Sequence, residues 1–271
     1  MRSESILVVD DDVDTCRNLS DILSDLGYRV DVAHDGPSAL ELVKRNAYDV
    51  ALLDYKMPGM DGLTLYREIK RLRSGTVAIV VTAYAGGATT EEALGAGAWQ
   101  VLAKPVEFRK LLKLVDEAVG QPLVLVVDDD HDLCKNLWDL FRERGFRVCL
   151  AHDERDAAEH LKGSAFKAVL IDMKLPMGDG TTVFRLVRQA NPQARTIIIT
   201  GHRSEMDQLV QQMIKEGADA VCYKPFDVAK LLGTLHDLTH GEPPPRSQAQ
   251  LGNEAGLGNE AGLGNEAGPA R

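Results

Sequence analysis

The chain has 271 residues and a net charge of −10, with an acidic excess in both halves and in the C-terminal tail. No basic stripe runs through it, which argues against binding a nucleic-acid backbone, and no apolar run approaches the roughly 20 residues of a membrane span. The four cysteines form no C-x-x-C pair, so they read as small buried residues and not as zinc ligands; no signal peptide is legible at the N-terminus, and the expected location is cytoplasmic.

In chain order, a first β-branched run at residues 6–9 ends in Asp10-Asp11-Asp12. Cys16, Leu19, Leu23 and Leu26 follow at helical spacing. Further strands are predicted at 29–33, 50–53, 77–81 and 100–102. The third runs into Asp54-Tyr55-Lys56-Met57-Pro58, the fourth into Thr82, and the fifth is followed by Lys104-Pro105. Thr89 and Glu92 form a capping-box pattern, so the fourth helix is expected to begin there, and Gly95 and Gly97 limit it to about two turns.

Past Gly120-Gln121-Pro122 the same order returns, 118 residues on. Strands are predicted at 123–127, 147–151, 168–171, 196–199 and 220–222. They carry Asp128-Asp129-Asp130, Asp172 with Lys174 two residues later, Thr200, and Lys224-Pro225. Asp10 to Asp54 and Asp128 to Asp172 are both 44 residues; Asp54 to Thr82 and Asp172 to Thr200 are both 28. Ser204 and Asp207 give a helix start soon after Thr200, and that helix is expected from 205 to about 216. A repeat of this length is a duplicated domain, at 1–120 and 121–240. From 241 the chain changes character: a Pro run precedes three copies of Leu-Gly-Asn-Glu-Ala-Gly. So little apolar surface cannot offset ordering entropy, and the tail is expected to be disordered.

Strands that are apolar throughout fit a parallel sheet covered on both faces. Five βα units per copy predict an α/β fold of two doubly wound five-stranded sheets, each in the order 2-1-3-4-5. The C-terminal ends of parallel strands share one edge. Asp10, Asp11, Asp54, Thr82 and Lys104 therefore meet at one crevice, and Asp128, Asp129, Asp172, Thr200 and Lys224 at another. Three carboxylates at one mouth repel each other unless a cation joins them, and oxygen ligands favour Mg²⁺ or Mn²⁺. An Asp nucleophile, a divalent cation, a Thr hydroxyl and a Lys ammonium around one point suit phosphoryl transfer.

On these motifs the chain resembles, twice over, the receiver domain of two-component response regulators, across about residues 4–238. The resemblance implies that Asp54 and Asp172 accept a phosphoryl group from a histidine kinase or a histidine phosphotransfer protein. It implies one Mg²⁺ per domain, on Asp11, Asp54 and the Lys56 carbonyl with Asp10 acting through water, and on Asp129, Asp172 and the Lys174 carbonyl with Asp128. Thr82 with Lys104, and Thr200 with Lys224, would sense the phosphoryl group, and the Lys-Pro bonds would be cis. Val101 and Val221 depart from the family, which often carries an aromatic residue there. Lys56, Lys174, Tyr84 and His202 would flank the phosphoryl group. The reading is of a phosphoryl acceptor and not an enzyme in the ordinary sense, acting on an unknown downstream protein. Its alternatives are a phosphate sink or relay intermediate, and an Asp-nucleophile phosphohydrolase. The last wants a second Asp where Lys56 and Lys174 stand. A flavin-binding module is disfavoured because Asp10-Asp11-Asp12 would repel the flavin phosphate. Asp12 and Asp130 read as helix starts, His34 and His152 as solvated turn residues, and Trp99 and Trp138 as core or interface packing.

Overall fold

The computed structural model describes residues 4–176, 178–201 and 207–241. In the first half the strands β1 (Ser5–Val9), β2 (Arg29–Ala33), β3 (Val50–Asp54), β4 (Val77–Thr82) and β5 (Gln100–Ala103) form one sheet in the order β2-β1-β3-β4-β5. Every pairing is parallel. Between the strands and after the last run α1 (Val13–Asp25), α2 (Gly36–Arg45), α3 (Gly62–Leu72), α4 (Gly87–Gly95) and α5 (Phe108–Gly120).

Alternate residues of the central strands feed two cores. Ile6, Val8, Leu52 and Ile79 pack with Leu19 and Leu23 of α1 and Leu111 and Val115 of α5. Leu7, Val9, Ala51 and Leu53 face the other way, onto Ala39 and Val43 of α2 and Tyr66 and Ile69 of α3. Each fully buried Leu or Ile contributes about 1.5–3 kcal/mol, which makes these two layers the main support of the sheet. Three helix starts are fixed by aspartates. Asp12 accepts from the Asp14 and Thr15 amides, Asp35 from Ser38 and Asp61 from Thr64, satisfying amide donors that the helix itself leaves open.

The second half repeats the plan. Its elements are β6 (Leu123–Val127), α6 (His131–Glu143), β7 (Arg147–Ala151), α7 (Glu154–Gly163), β8 (Ala168–Asp172), β9 (Lys174–Leu175), β10 (Gly178–Asp179), α8 (Gly180–Ala190), β11 (Arg195–Thr200), α9 (Asp207–Lys215), β12 (Ala220–Tyr223) and α10 (Val228–His240). The main sheet runs β7-β6-β8-β11-β12, again 2-1-3-4-5. The antiparallel pair β9–β10, between β8 and α8, has no counterpart in the first half. No helix among the described residues is long and apolar enough to cross a membrane.

The fourth helix departs from its sequence reading. α4 starts at Gly87, two residues before Thr89, with Gly86 as a cap that makes no side-chain hydrogen bond. The Glu92 carboxylate does not turn back to the helix start. It accepts from the Tyr55 hydroxyl at 3.1 Å, and this tertiary bond displaces the local one. Ser204, the expected helix start of the second copy, lies outside the described residues, as does His202.

Only Gln121 and Pro122 separate α5 from β6, and the two domains pack together. Arg147 Nη2 meets Asp49 Oδ1 at 2.6 Å. Ser74 takes the Trp138 indole N–H on its carbonyl at 3.3 Å and the Leu150 amide on its hydroxyl at 2.9 Å. Lys70 Nζ stands 3.3 Å from the centroid of the Trp138 ring; burial, then repulsion from Arg142, pushes this ammonium down to about 8.

Candidate functional site

Asp10 follows β1, Asp54 ends β3, Thr82 ends β4 and Lys104 follows β5, so the parallel sheet brings all four to one edge. Lys104 Nζ lies 2.8 Å from Asp10 Oδ2 and 2.6 Å from Asp54 Oδ1. In the second domain Lys224 Nζ lies 2.7 Å from Asp128 and 2.8 Å from Asp172. The Lys104–Pro105 and Lys224–Pro225 bonds are both cis. Thr82 and Thr200 are almost fully buried, and Thr82 Oγ1 accepts the Tyr84 amide at 3.1 Å.

The carboxylates form a compact group. Asp10, Asp11 and Asp54 offer oxygens that all lie within 4.8 Å of one another, and so do Asp128, Asp129 and Asp172. In each triad the middle acid is exposed and the other two are buried, so the oxygens open toward solvent on one side. A hard, oxygen-only donor set open to water fits Mg²⁺, which keeps part of its hydration shell. When bound, such a cation supplies charge neutralisation for acidic and phosphoryl oxygens.

The electrostatics follow from crowding. Burial holds the Asp54 carboxyl above its ordinary range; Lys104 opposes this and Asp10 adds to it. Burial also works against the Lys104 ammonium, but its bonds to Asp10 and Asp54 prevail and raise it. Lys224 is raised in the same way by Asp128 and Asp172, while burial raises Asp128 against the pull of Lys224. Both lysines therefore stay charged, each shared between two acids.

Lys56 and Lys174 enter the sites through their backbones. The Lys56 amide donates to Asp54 Oδ2 at 3.1 Å and the Lys174 amide to Asp172 Oδ1 at 3.2 Å. The Lys56 ammonium does not lie on the carboxylates; it stands 4.3 Å from the centroid of the exposed Tyr84 ring. Val101 and Val221 are half-buried beside the cores. Asp12 and Asp130 cap α1 and α6, as their sequence position implies. His34 and His152 are not simply solvated. Each places Nδ1 against the carbonyl of the first acid, at 3.3 Å to Asp10 and 3.1 Å to Asp128. Trp99 packs against the first core and Trp138 joins core and interface.

Sequence reading passed over two glycines. A Cβ on Gly62 would stand 2.2 Å from the Asp54 carbonyl oxygen, and one on Gly180 2.5 Å from that of Asp172. These close approaches seat the acceptor strand ends against α3 and α8. The signal was present: Asp61-Gly62 returns as Asp179-Gly180 at the repeat offset. Cys16 and Cys134 also support the site, each placing Sγ 3.3 Å from the carbonyl of Asp10 or Asp128. Burial pushes their thiols up to about 11 and about 12, which leaves them unreactive at neutral pH.

A family model described as the response regulator receiver domain matches residues 6–116 and 124–236. The chain belongs to this family and carries two receiver domains in tandem. It is 34% identical over 232 residues to a response regulator receiver protein of Anaeromyxobacter sp. (strain Fw109-5), covering 86% of this chain and 94% of that protein. It is 41% identical over 115 residues to the transcriptional regulatory protein ZraR of Klebsiella oxytoca, where the match spans 42% of this chain and 26% of ZraR. Among solved structures, a CheY-like receiver domain protein from Methanospirillum hungatei JF-1 is 34% identical, with a TM-score of 0.42, over 44% of this chain and 94% of its own. The two receiver domains are consistent with a place in two-component signalling.

Proposed function

We propose that both domains accept phosphoryl groups, on Asp54 and Asp172, from the phosphohistidine of a cytoplasmic histidine kinase or histidine phosphotransfer protein, with one Mg²⁺ in each. The observation that carries this reading is the complete constellation in both copies: a buried acceptor Asp, two further acids within ligand reach, a buried Thr and a Lys tied to the acceptor. An oxygen of the Asp54 carboxylate attacks phosphorus, the P–N bond to the imidazole breaks, and the ring leaves with the electron pair and takes a proton from solvent. Lys104, already bonded to Asp54, moves its ammonium to a phosphoryl oxygen as that carboxylate loses charge, and the Thr82 hydroxyl gives up the Tyr84 amide to bond another. Lys224 and Thr200 do the same around Asp172. The result is a changed surface for a downstream protein, not a released product, and the acyl phosphate is later lost to water.

The test is intact mass after treatment with acetyl phosphate and Mg²⁺. Wild type is expected to gain two phosphoryl groups, Asp54→Asn and Asp172→Asn one each, and the double variant none. Uptake limited to a single group at saturating donor would contradict the two-site reading, and uptake by the double variant would contradict the assignment of the acceptors.

A further inference from the structure

A cavity lies far from either acidic crevice, at the opposite edge of the sheets. It has a volume of about 550 Å³ and opens between the two domains, where the starts of β1, β2, β6 and β7 come together with the end of α10. Its lining includes Arg29, Arg45 and Arg73 of the first domain and Arg147 and Lys167 of the second. Five cations gathered in one cleft contrast with a chain whose net charge is −10.

Two acids share the cavity, Glu4 and Asp49. Asp49 is already engaged: Oδ1 takes Arg147 Nη2 at 2.6 Å and Oδ2 takes the Ser5 amide at 2.7 Å. Arg147 is 6% exposed, yet only two of its three guanidinium nitrogens are bonded, Nη2 to Asp49 and Nε to the Gly75 carbonyl at 3.3 Å. Nη1 has no protein acceptor among the described residues. That nitrogen is not sealed from solvent, so it can donate to a group that enters the cavity. His160 forms part of the same wall; burial holds its imidazole below the ordinary range, Asp156 works against this, and the charge of Arg73 adds to it. The cavity therefore carries a positive field that its own acids do not cancel.

From this geometry we infer a second binding site, for a small phosphate-bearing molecule with at least two negative charges, held between the domains. Guanidinium forks match phosphate oxygens in pairs. The volume falls in the range of about 300–1,000 Å³ usual for small-molecule sites. Because the cations come from both domains, the ligand bridges them, and its affinity depends on how the domains sit against each other.

The probe is inorganic tripolyphosphate, titrated calorimetrically into the full chain in EDTA so that no divalent cation recruits it to the carboxylates. One molecule per chain is expected to bind, with a Kd below about 1 mM. The double variant Arg73→Gln/Lys167→Gln should bind at least about tenfold more weakly with an unchanged circular dichroism spectrum. Lys113→Gln/Lys135→Gln makes the same change of charge at exposed positions outside the cavity and should bind as wild type does. Absence of saturable binding would overturn the proposal. So would equal weakening in the two double variants, which would reduce the effect to overall charge. Loss of binding in Lys104→Gln/Lys224→Gln, with retention in Arg73→Gln/Lys167→Gln, would move the anion to the acidic crevices and overturn it as well.

Discussion

Asp54 and Lys104 respond to the same contact in different ways. Lys104 faces two carboxylates and gains from both, whereas Asp54 shares one ammonium with Asp10 and is also buried. The sign for stability follows from linkage. With its pKa raised above the unfolded value, Asp54 contributes stability when protonated, and that contribution is lost as pH rises through the folded pKa. At pH 7 the ionised carboxylate therefore costs stability in the metal-free protein. Asp54→Asn is expected to stabilise it by on the order of 1 kcal/mol, since Lys104 keeps Asp10 at 2.8 Å. The advantage should fade as pH falls toward the unfolded carboxylate range, near about 4. Urea melts in EDTA at several pH values measure this, and a variant less stable than wild type at pH 7 would refute it. Lys104 runs the other way along the pH scale. Its raised pKa gives stability that is complete below the unfolded lysine value and is lost in strong alkali as pH rises through the folded one. Gly62 marks a second limit at this scale. A methyl group there meets the carbonyl of Asp54 itself, so Gly62→Ala should cost about 1–3 kcal/mol or more and weaken Mg²⁺ binding to the first domain. Unchanged metal affinity, measured by calorimetry on an Asp172→Asn background, would show that the acceptor does not depend on this approach.

The elements were legible in the sequence wherever local chemistry decides them. Apolar runs such as residues 50–53 read as covered strands, and the aspartates at positions 12 and 130 cap the helices that follow. The site was legible for the same reason, since reactive side chains stood at strand ends and returned at a repeated offset, 118 residues for the acids and the Thr and 120 for the Lys. What failed was long-range. Glu92 looked like a cap residue, but its partner is Tyr55, 37 residues earlier, and no local pattern encodes that choice. The β9–β10 pair was likewise hidden, because two-residue strands carry no periodicity. The outcome sharpens the contrast between the fourth helices. α4 buries only Ala93 and begins at an uncapped glycine. α9 seats Val210 and Met213 in its core, with Leu209 and Ile214 packed alongside. Burying two large apolar side chains in place of one methyl group favours α9 by a few kcal/mol. Local opening of α4 should therefore be easier, and amides of residues 87–95 should exchange at least about tenfold faster than those of 207–215. Phosphorylation of Asp54 should then protect 87–95 more than phosphorylation of Asp172 protects 207–215. Equal exchange in the two segments would show that buried side chains do not set the mobility of this helix.

At the scale of the whole molecule the two copies are not interchangeable, and corresponding positions show why. Lys70 and Arg188 stand 118 residues apart, at matching places on α3 and α8. Arg188 is used inside its own domain, bonding Ala194, Thr196, Gly217 and Asp219. Lys70 instead reaches across to Trp138. The position that Asp219 fills in the second copy is Trp99 in the first: each donates its amide to the strand residue facing it, Ala78 or Thr196. The first copy thus turns this corner toward its neighbour, and the second satisfies the same corner internally. In the second copy that corner is closed by the Arg188–Asp219 and Arg195–Asp219 pairs. The contact is tight at Gly75. A Cβ there would lie 2.4 Å from Cys149 Sγ and 3.0 Å from Leu123 Cδ1, and both atoms belong to the second domain. Gly75→Leu should therefore leave each domain folded while forcing the two apart, and it should break the Arg147–Asp49 pair that spans the interface. Wild type is expected to unfold in a single calorimetric transition. The variant should unfold in two, with a larger radius of gyration in X-ray scattering and undiminished uptake of two phosphoryl groups. If it keeps one transition and the wild-type radius, the domains are not held by this interface, and the short Gln121–Pro122 junction alone sets their arrangement.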